Sequence, residues 1–476
     1  MADSNSPRSA ESSQARRPAT KAGGGAPAPL DPLAVIRSKQ YIGLLVLAAI
    51  LGIPLSAIAY GFLALVLTIQ SYVFTDLPNH ILGGPAPAWW PLPWLVLSGV
   101  LTALTIRYLP GNGGHSPAFG LQTGGGPPSG RDLGGVVLAA LATLGLGAVL
   151  GPEAPLIAIA GGLAALTVRR SRKDPSPTAI TMMTAAGSFA AISTLFGSPL
   201  LGAFLIMETA GIGGIALSLV VLPGLLASGI GALVFVGLGN WTGLGTFSLA
   251  LQSVPPETEP TLPSLAWAVV IGAIGAGFGW LIRSLALRLR PIVHINRVLV
   301  TAALGLLIGL IAMAYQLISG RSFKDVLFSG QDALPNFVGH ATEYSVGLMI
   351  LVLLCKGLAY ALSLSAFRGG PVFPSIFIGA AIGIAMSALP GASLAPAIAS
   401  GIGAMCAAML RLPLTSTLLA VLLLGPDAAT VTPQAVVAVA TAFIIINLLP
   451  NPGPKTPESH PPDSQHSVQA QPPGTD

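Results

Sequence analysis

Charge is what this sequence has least of. Only 8% of its 476 residues are Asp, Glu, Lys or Arg, against about 25% in soluble globular domains. So few charges cannot cover a soluble surface of this size, and a polytopic membrane protein is expected. Cysteine is nearly absent too. Cys355 and Cys406 both fall in apolar stretches, where thiols pack rather than form a disulfide framework. The apolar runs are long and continuous rather than alternating, which argues against a transmembrane β-barrel. Within them there is no paired-Asp motif and no Ser/His or His-rich metal set. Neither an intramembrane enzyme nor a bound metal or other cofactor is expected.

What the chain has in abundance is glycine and proline, 58 and 42 residues. Much of this lies inside apolar runs, where membrane helices tolerate both residues at close packing or at breaks over a cavity. The remainder marks the ends. Residues 1–39 carry six basic and three acidic side chains among Ser, Ala, Gly and Pro and read as a disordered cytoplasmic arm. Residues 450–476 read as a disordered Pro-rich tail, leaving 40–449 as the transmembrane domain. Basic clusters at Arg37/Lys39, Arg169–Arg170–Arg172–Lys173 and Arg283/Arg288/Arg290/Arg297 sit at the ends of apolar segments. Such clusters stay on the cytoplasmic side in short loops, which places the N-terminus inside. That position makes nucleic acid a poor partner and the lipid bilayer the natural one.

The apolar segments run roughly over 41–75, 88–109, 133–150, 154–168, 178–209, 212–238, 264–289, 298–319, 345–365, 372–389, 395–410, 414–424 and 433–449. Several fall short of the ~20 residues that span a bilayer. Short, Gly/Pro-interrupted segments are the pattern of broken or re-entrant helices, which occur where protein or a cavity satisfies the free backbone groups. A repeat is also visible. Gly151-Pro-Glu-Ala-Pro155 resembles Gly370-Pro-Val-Phe-Pro374, and downstream Gly187 and Pro199 match Gly401 and Pro413. Two halves, about 40–240 and 262–449, with breaks in matching places suggest a transport site at their interface.

The pattern G-x-x-x-P occurs at Gly113–Pro117, Gly151–Pro155 and Gly370–Pro374. Each is expected to open a helix, with proline in a first turn that needs no N–H. Three helix starts meeting in the membrane would hold an anion on bare N–H groups, without full positive charges. Among the intramembrane ionisable residues, Glu153 sits in one of these starts. Its carboxylate could occupy an anion site and leave it on protonation. Glu208 reads equally as a structural hydrogen-bonded acid, and Lys356 as a partner for carbonyls or a carboxylate. His115 reads as a loop histidine with an ordinary hydrogen bond. The tryptophans, Trp89, Trp90 and Trp241 among them, read as an interfacial belt.

These motifs resemble, in order, those of the CLC family of chloride channels and proton/chloride exchangers, and the chain is similar to its bacterial members. Gly113-Gly114-His115-Ser116-Pro117 corresponds to the family's G-S-G-I-P loop. Gly151-Pro152-Glu153-Ala154-Pro155 corresponds to G-(K/R)-E-G-P, and Gly370-Pro371-Val372-Phe373-Pro374 to G-x-F-x-P. Phe196-Gly-Ser-Pro-Leu-Leu-Gly resembles F-N-A-P-L-A-G. The resemblance implies an all-α fold of two inverted repeats with tilted, broken and re-entrant helices. It implies a homodimer with one pore per subunit. It also implies that Glu153 is the gate and that the anion is held at Gly113, Gly114, His115, Ser116 and Pro117, at Gly151, Ala154 and Pro155, and at Gly370, Val372, Phe373 and Pro374.

Departures qualify the expectation. The family's coordinating serine falls at Gly114, with Ser116 or Asn112 as substitutes. Pro371 stands where a backbone N–H would help bind the anion, and it cannot donate. The family's pore tyrosine has no counterpart after Leu449. Glu208 matches the first of the exchangers' paired glutamates, and Thr209 falls at the second, the internal proton position. Transport of chloride or a similar monovalent anion across the plasma (inner) membrane is therefore expected, with passive, channel-like conduction favoured by Thr209. The alternatives are a proton-coupled exchanger, with a proton path through Glu208 and Thr209, and a secondary transporter of an organic solute.

Overall fold

The structure is a computed structural model that describes residues 36–121, 126–171, 174–210, 215–245, 251, 260–425 and 428–451. The expected arm up to residue 35, Arg172, Lys173 and the expected tail from 452 onward lie outside the described residues.

The first half comprises α1 (Lys39–Ser71), α2 (Leu77–Leu82), α3 (Pro91–Tyr108), α4 (Gly130–Leu144), α5 (Glu153–Ser171), α6 (Pro177–Phe196), α7 (Pro199–Ala210) and α8 (Ile215–Thr242). The second comprises α9 (Leu262–Ile295), α10 (Arg297–Ser319), α11 (Leu334–Gly339), α12 (Val346–Ala366), α13 (Val372–Ser387), α14 (Leu394–Leu410), α15 (Pro413–Leu423) and α16 (Ala428–Leu448). Seven stretches among the described residues are helical, long and apolar enough to cross a membrane, while α7, α13, α14 and α15 are apolar but short. The chain is an integral, multi-pass membrane protein.

Local sequence explains the boundaries. Ser38, Ser176, Asn296 and Ser345 accept from backbone N–H groups at the starts of α1, α6, α10 and α12, supplying an acceptor that the helix itself cannot. Ser129 and Asp132 form a capping box on α4. Gly197 (φ +66°) ends α6 one residue before Ser198 and Pro199, so the apolar run 178–209 divides into two helices.

Small residues set the helix crossings, as membrane packing requires, and the same crossings recur in both halves. A Cβ on Gly52 of α1 would lie 2.6 Å from the Ala227 carbonyl of α8, and one on Gly272 of α9 would lie 2.7 Å from the Ala438 carbonyl of α16. Gly187 of α6 rests on the Ala160 carbonyl of α5, and Gly401 of α14 rests on the Gly379 carbonyl of α13. The repeated Gly187/Gly401 signature is thus a repeated backbone contact.

Two expectations meet the structure differently. Lys356, fully buried on α12, donates to the carbonyls of Asp325, Val326 and Leu327 at 3.0, 3.2 and 3.1 Å, with its Nζ 4.3 Å from the centre of the Phe377 ring. It is the carbonyl partner expected. Trp90, by contrast, is not a belt residue. It is buried, and its indole N–H donates at 2.9 Å to the Val73 carbonyl within the π-helical turn Tyr72–Asp76. Trp89 and Trp241 are exposed.

Substituting Gly401→Val or Gly187→Val should destabilise the protein by roughly 1–3 kcal/mol or more, because backbone rather than a movable side chain fills the space. Gly61→Ala, with nothing within 4 Å of the added Cβ, should be neutral or mildly stabilising. Thermal unfolding of the detergent-solubilised chain, followed by size-exclusion chromatography, distinguishes the two classes.

Candidate functional site

The site begins with two glycines. Gly151 donates to the Gly370 carbonyl at 2.8 Å, and Gly370 returns the bond to the Gly151 carbonyl at 2.6 Å. This antiparallel bridge joins the two repeats and relates them locally by a two-fold. Flanking hydroxyls extend it across the halves. The Val149 N–H donates to Ser363 Oγ at 3.0 Å, and the Arg368 N–H to Thr143 Oγ1 at 3.3 Å.

From the bridge, α5 starts at Glu153 and α13 at Val372. Both begin two residues before the proline of their motif, which leaves Pro155 and Pro374 in the first turn, where a missing N–H costs nothing. Glu153 is fully buried. Its Oε1 accepts from the Val372 N–H, with the Phe373 N–H beside it. Its Oε2 has no hydrogen-bond partner among the described residues. A Cβ on either Gly151 or Gly370 would overlap this carboxyl group. The carboxylate therefore lies over the bridge, at the positive end of α13, in the place the helix start offers to an anion. Val372 and Phe373 are buried, and Phe373 stacks on Phe196 from the end of α6, with ring centres 5.2 Å apart and planes 10° apart.

Sequence reasoning missed two groups here. Tyr360 is a fully buried tyrosine on α12. Its hydroxyl donates to the Pro371 carbonyl at 2.7 Å, beside Ser375 Oγ, which donates to the same oxygen at 2.7 Å. Pro371 offers the pathway no N–H, and its carbonyl is fully engaged. The only sequence sign of Tyr360 was a hydroxyl within an apolar run. The second group is Arg368, two residues before Gly370.

The motif Gly113–Pro117 departs from expectation, because it does not open a helix. Pro117–Phe119 forms a single 3-10 turn, ended by Gly120 at φ +86°, and α4 starts only at Gly130. Gly111, Asn112, Gly113 and Gly114 all have positive φ. Gly114, at φ +89° and ψ −172°, occupies a region open almost only to glycine. A serine there would be strained, which accounts for the missing hydroxyl. Ser116 Oγ is the nearby hydroxyl, buried and without a partner among the described residues. His115 is exposed. The loop packs on Val136 and Ala139 of α4 and reaches the second half through Arg368, whose Nε donates to the Asn112 carbonyl at 3.2 Å.

At the bridge, Gly151, Glu153, Ala154, Pro155, Gly370, Val372, Phe373 and Pro374 share the two helix starts. On another side, a narrow cleft lined by Gln70, Ser329, Gln331 and Asp332 reaches Leu150 and Pro152 beside Glu153. Glu208 and Thr209 lie apart from the bridge. The half-buried Glu208 on α7 accepts from the Leu414 N–H (2.8 Å), the Thr415 N–H (2.7 Å) and the Thr415 hydroxyl (2.5 Å), capping α15. The Thr209 hydroxyl donates to the Leu205 and Ile206 carbonyls of its own helix. Among the described residues, no group of three or more His, Cys, Asp or Glu gathers as a metal site.

Comparison with known proteins adds to this geometry. The family model described as "Voltage gated chloride channel" matches residues 97–447. The protein named "Putative ion-transport protein YfeO" of Salmonella choleraesuis is 28% identical over 359 residues, covering 74% of this chain and 82% of its own. Its namesake in Salmonella typhimurium matches to the same extent. Among solved structures, a slow cyanobacterial Cl−/H+ antiporter aligns with TM-score 0.66 at 21% identity, covering 85% of this chain and 96% of that one. A CLC-type fluoride/proton antiporter aligns with TM-score 0.65 at 17% identity, covering 86% and 96%. At these identities, the solved structures speak for the fold.

The placement of Glu208 yields a measurable expectation. Glu208→Ala removes the acceptor for two helix-start N–H groups and should lower stability by roughly 1–2 kcal/mol. Glu208→Gln, which keeps one acceptor oxygen, should lose less. Equal thermal stability of the parent and Glu208→Ala would rule out the capping role.

Proposed function

Because the chain belongs to the voltage-gated chloride channel family, we propose that it exchanges a monovalent anion such as chloride or fluoride for protons, with Glu153 as the gate. The observation that carries this reading is the Glu153 carboxylate lying over the Gly151–Gly370 bridge, with the Val372 N–H on its Oε1. A carboxylate that takes the donors an anion would take must leave before an anion can enter. Either protonation or displacement by the incoming anion releases it. One group then binds the proton and competes with the anion, which is the minimum an exchanger needs.

Exchange replaces the passive conduction favoured from Thr209. The Cl−/H+ and fluoride/proton antiporters described above share the fold and support exchange. Glu208 is the proposed relay acid on the proton's way: half-buried, it can take a proton by yielding part of the α15 cap. Thr209 offers no acid, and that observation favours passive conduction as the second reading. The proposal includes a homodimer with one pathway per subunit. It places the chain in the inner membrane with the N-terminus cytoplasmic, in keeping with Arg169 and Arg170 at the end of α5.

Purified protein in liposomes tests the reading. An inward proton gradient should drive chloride or fluoride uptake, and an anion gradient should drive proton movement. Flux should rise as pH falls, because protonation frees the carboxylate, by at most about tenfold per pH unit for one titrating group. Glu153→Gln should abolish proton movement and flatten the pH profile. Anion flux without proton movement in the parent protein would leave passive conduction standing. Unchanged coupling in Glu153→Gln would remove Glu153 as the gate. Absence of flux for every anion would favour an organic solute.

A further inference from the structure

The loop between α10 and α11 is pinned from three sides. Lys356 donates to its Asp325, Val326 and Leu327 carbonyls. The Phe328 N–H donates to the Gly147 carbonyl at 3.2 Å, which ties the loop to the segment leading into the Gly151–Gly370 bridge. Gly330, at φ +85°, rests on the Phe377 ring, where a Cβ would come within 2.7 Å. Ser329, Gln331 and Asp332 are thereby fixed as part of the lining of the narrow cleft that Gln70 of α1 also lines. Lys356, a buried cation that the exchange cycle does not use, holds the base of this wall.

The cleft suits a proton better than an anion. Its volume is about 20 Å³, and a water needs roughly 10–15 Å³, so it has room for a water but not for an anion with its hydration shell. The lining offers that water polar partners. Gln70 anchors its Nε2 on the Leu144 carbonyl at 2.8 Å, and its Oε1 accepts no hydrogen bond among the described residues. Ser329 Oγ accepts from the Gln331 N–H at 3.2 Å and keeps its own proton to donate. Asp332 is exposed, at the mouth, and makes no hydrogen bond or ion pair among the described residues. It is the one ionisable side chain of the lining among the described residues. The facing elements contribute Gln70 and apolar side chains from α1, and apolar side chains alone from Leu144, Leu150 and Pro152. Other charges of the loop are engaged elsewhere. Lys324 donates to Thr75 Oγ1 at 2.8 Å, Asp325 accepts from the Tyr315 hydroxyl at 3.0 Å, and Arg321 lies over the Tyr344 ring at 3.9 Å. A lone carboxylate at the mouth repels anions and attracts protons. At its inner end the cleft stops at Leu150 and Pro152. Pro152 adjoins Glu153, whose buried Oε2 has no partner among the described residues. That oxygen is an independent sign that a proton donor belongs there.

We propose that this cleft is the outer proton entrance to Glu153, with Asp332 as its collecting acid and with Gln70 and Ser329 holding the water that relays the proton. The inference rests on proton exchange as the function, and it gives the proton an outer approach that the anion does not share. With the basic starts of α1 and α10 on the cytoplasmic side, the far ends of both helices lie outside, and with them Gln70 and the loop. A proton from the outer medium adds to the Asp332 carboxylate. The acid then passes a proton to the cleft water, which gives one up to Glu153 Oε2, so Asp332 and the water end as they began. Glu153 becomes a neutral carboxylic acid, and its hold on the Val372 N–H weakens. An anion takes the freed donor without having crossed the cleft. Asp332 thus acts through Glu153 and never touches the anion.

The test combines sided flux with a readout that needs no transport. Right-side-out and inside-out membrane vesicles present the cleft to opposite media, and chloride or fluoride uptake and proton movement are followed in each. Asp332→Asn, at an exposed position without hydrogen bonds, should fold as the parent does. It should slow coupled proton movement about tenfold or more when protons are supplied on the cleft side, and much less when they are supplied on the other. Asp332→Glu should recover most of the rate. Ser329→Leu, which fills the cleft with an apolar side chain, should slow it to a similar degree. Infrared titration of the full-length protein in detergent follows the Glu153 carboxyl directly, with Glu153→Gln identifying its band. Loss of the neighbouring negative charge in Asp332→Asn should move that titration to lower pH by roughly 0.3–1 unit. An unshifted titration, or an undiminished rate from the cleft side, overturns the entrance. Equal slowing from both sides overturns it too, because that is how a structural defect acts. If the parent chain moves no protons with anions, the exchange reading falls, and the infrared titration alone decides the entrance.

Discussion

Everything at the centre of this protein hangs on the pair of hydrogen bonds between Gly151 and Gly370. Two segments 219 residues apart meet there, both buried, so each N–H must find a carbonyl in the other half. The bridge fixes where α5 and α13 begin relative to one another. It also demands glycine on both sides, because the space a Cβ would take is filled by the Glu153 carboxyl group. Backbone pairing, helix starts and the Glu153 carboxylate are thus one construction, and a side chain at either glycine would disturb all three.

The construction explains how a chain this poor in charge handles ions. Helix starts provide partial positive charge that costs little to bury and holds an anion loosely. Glu153 takes the Val372 N–H for itself, and in the proposed exchange cycle occupancy by protein and occupancy by ion exclude each other. Pro371 thins the donor set, and the hydroxyls of Tyr360 and Ser375 occupy its carbonyl. With that acceptor engaged, it turns less negative charge toward the anion.

The parts legible in the sequence were those written in local spacing. Gly151–Pro155 and Gly370–Pro374 announced two helix starts, and Gly187 and Gly401 announced a repeat, because close backbone approach admits little but glycine. The loop at Gly113–Pro117 has the same letters but a run of positive φ from Gly111 to Gly114, which no letter pattern separates from a helix start. Trp90 looked interfacial because its acceptor, the Val73 carbonyl, is turned toward it by a π-helical turn. Glu208 and Leu414 are 206 residues apart, and their meeting is a property of packing. Tyr360 and Arg368 escaped notice for the same reason: their partners lie on other elements.

The two-fold that the backbone obeys is broken by side chains in a directed way. With a shift of 219, Glu153 is the counterpart of Val372 and Arg368 is the counterpart of Val149. The first repeat contributes an acid that accepts from a backbone N–H of the second, namely that of its own counterpart. The second contributes a base that donates to a backbone carbonyl of the first, at Asn112. A symmetric frame with valine at all four positions would have two equivalent ends and no preference for either. Glutamate in place of one valine and arginine in place of another put an acid on the first repeat and a fixed positive charge on the second. The asymmetry at the centre of this molecule therefore lies in two side chains on a duplicated scaffold, each held in place by the opposite repeat.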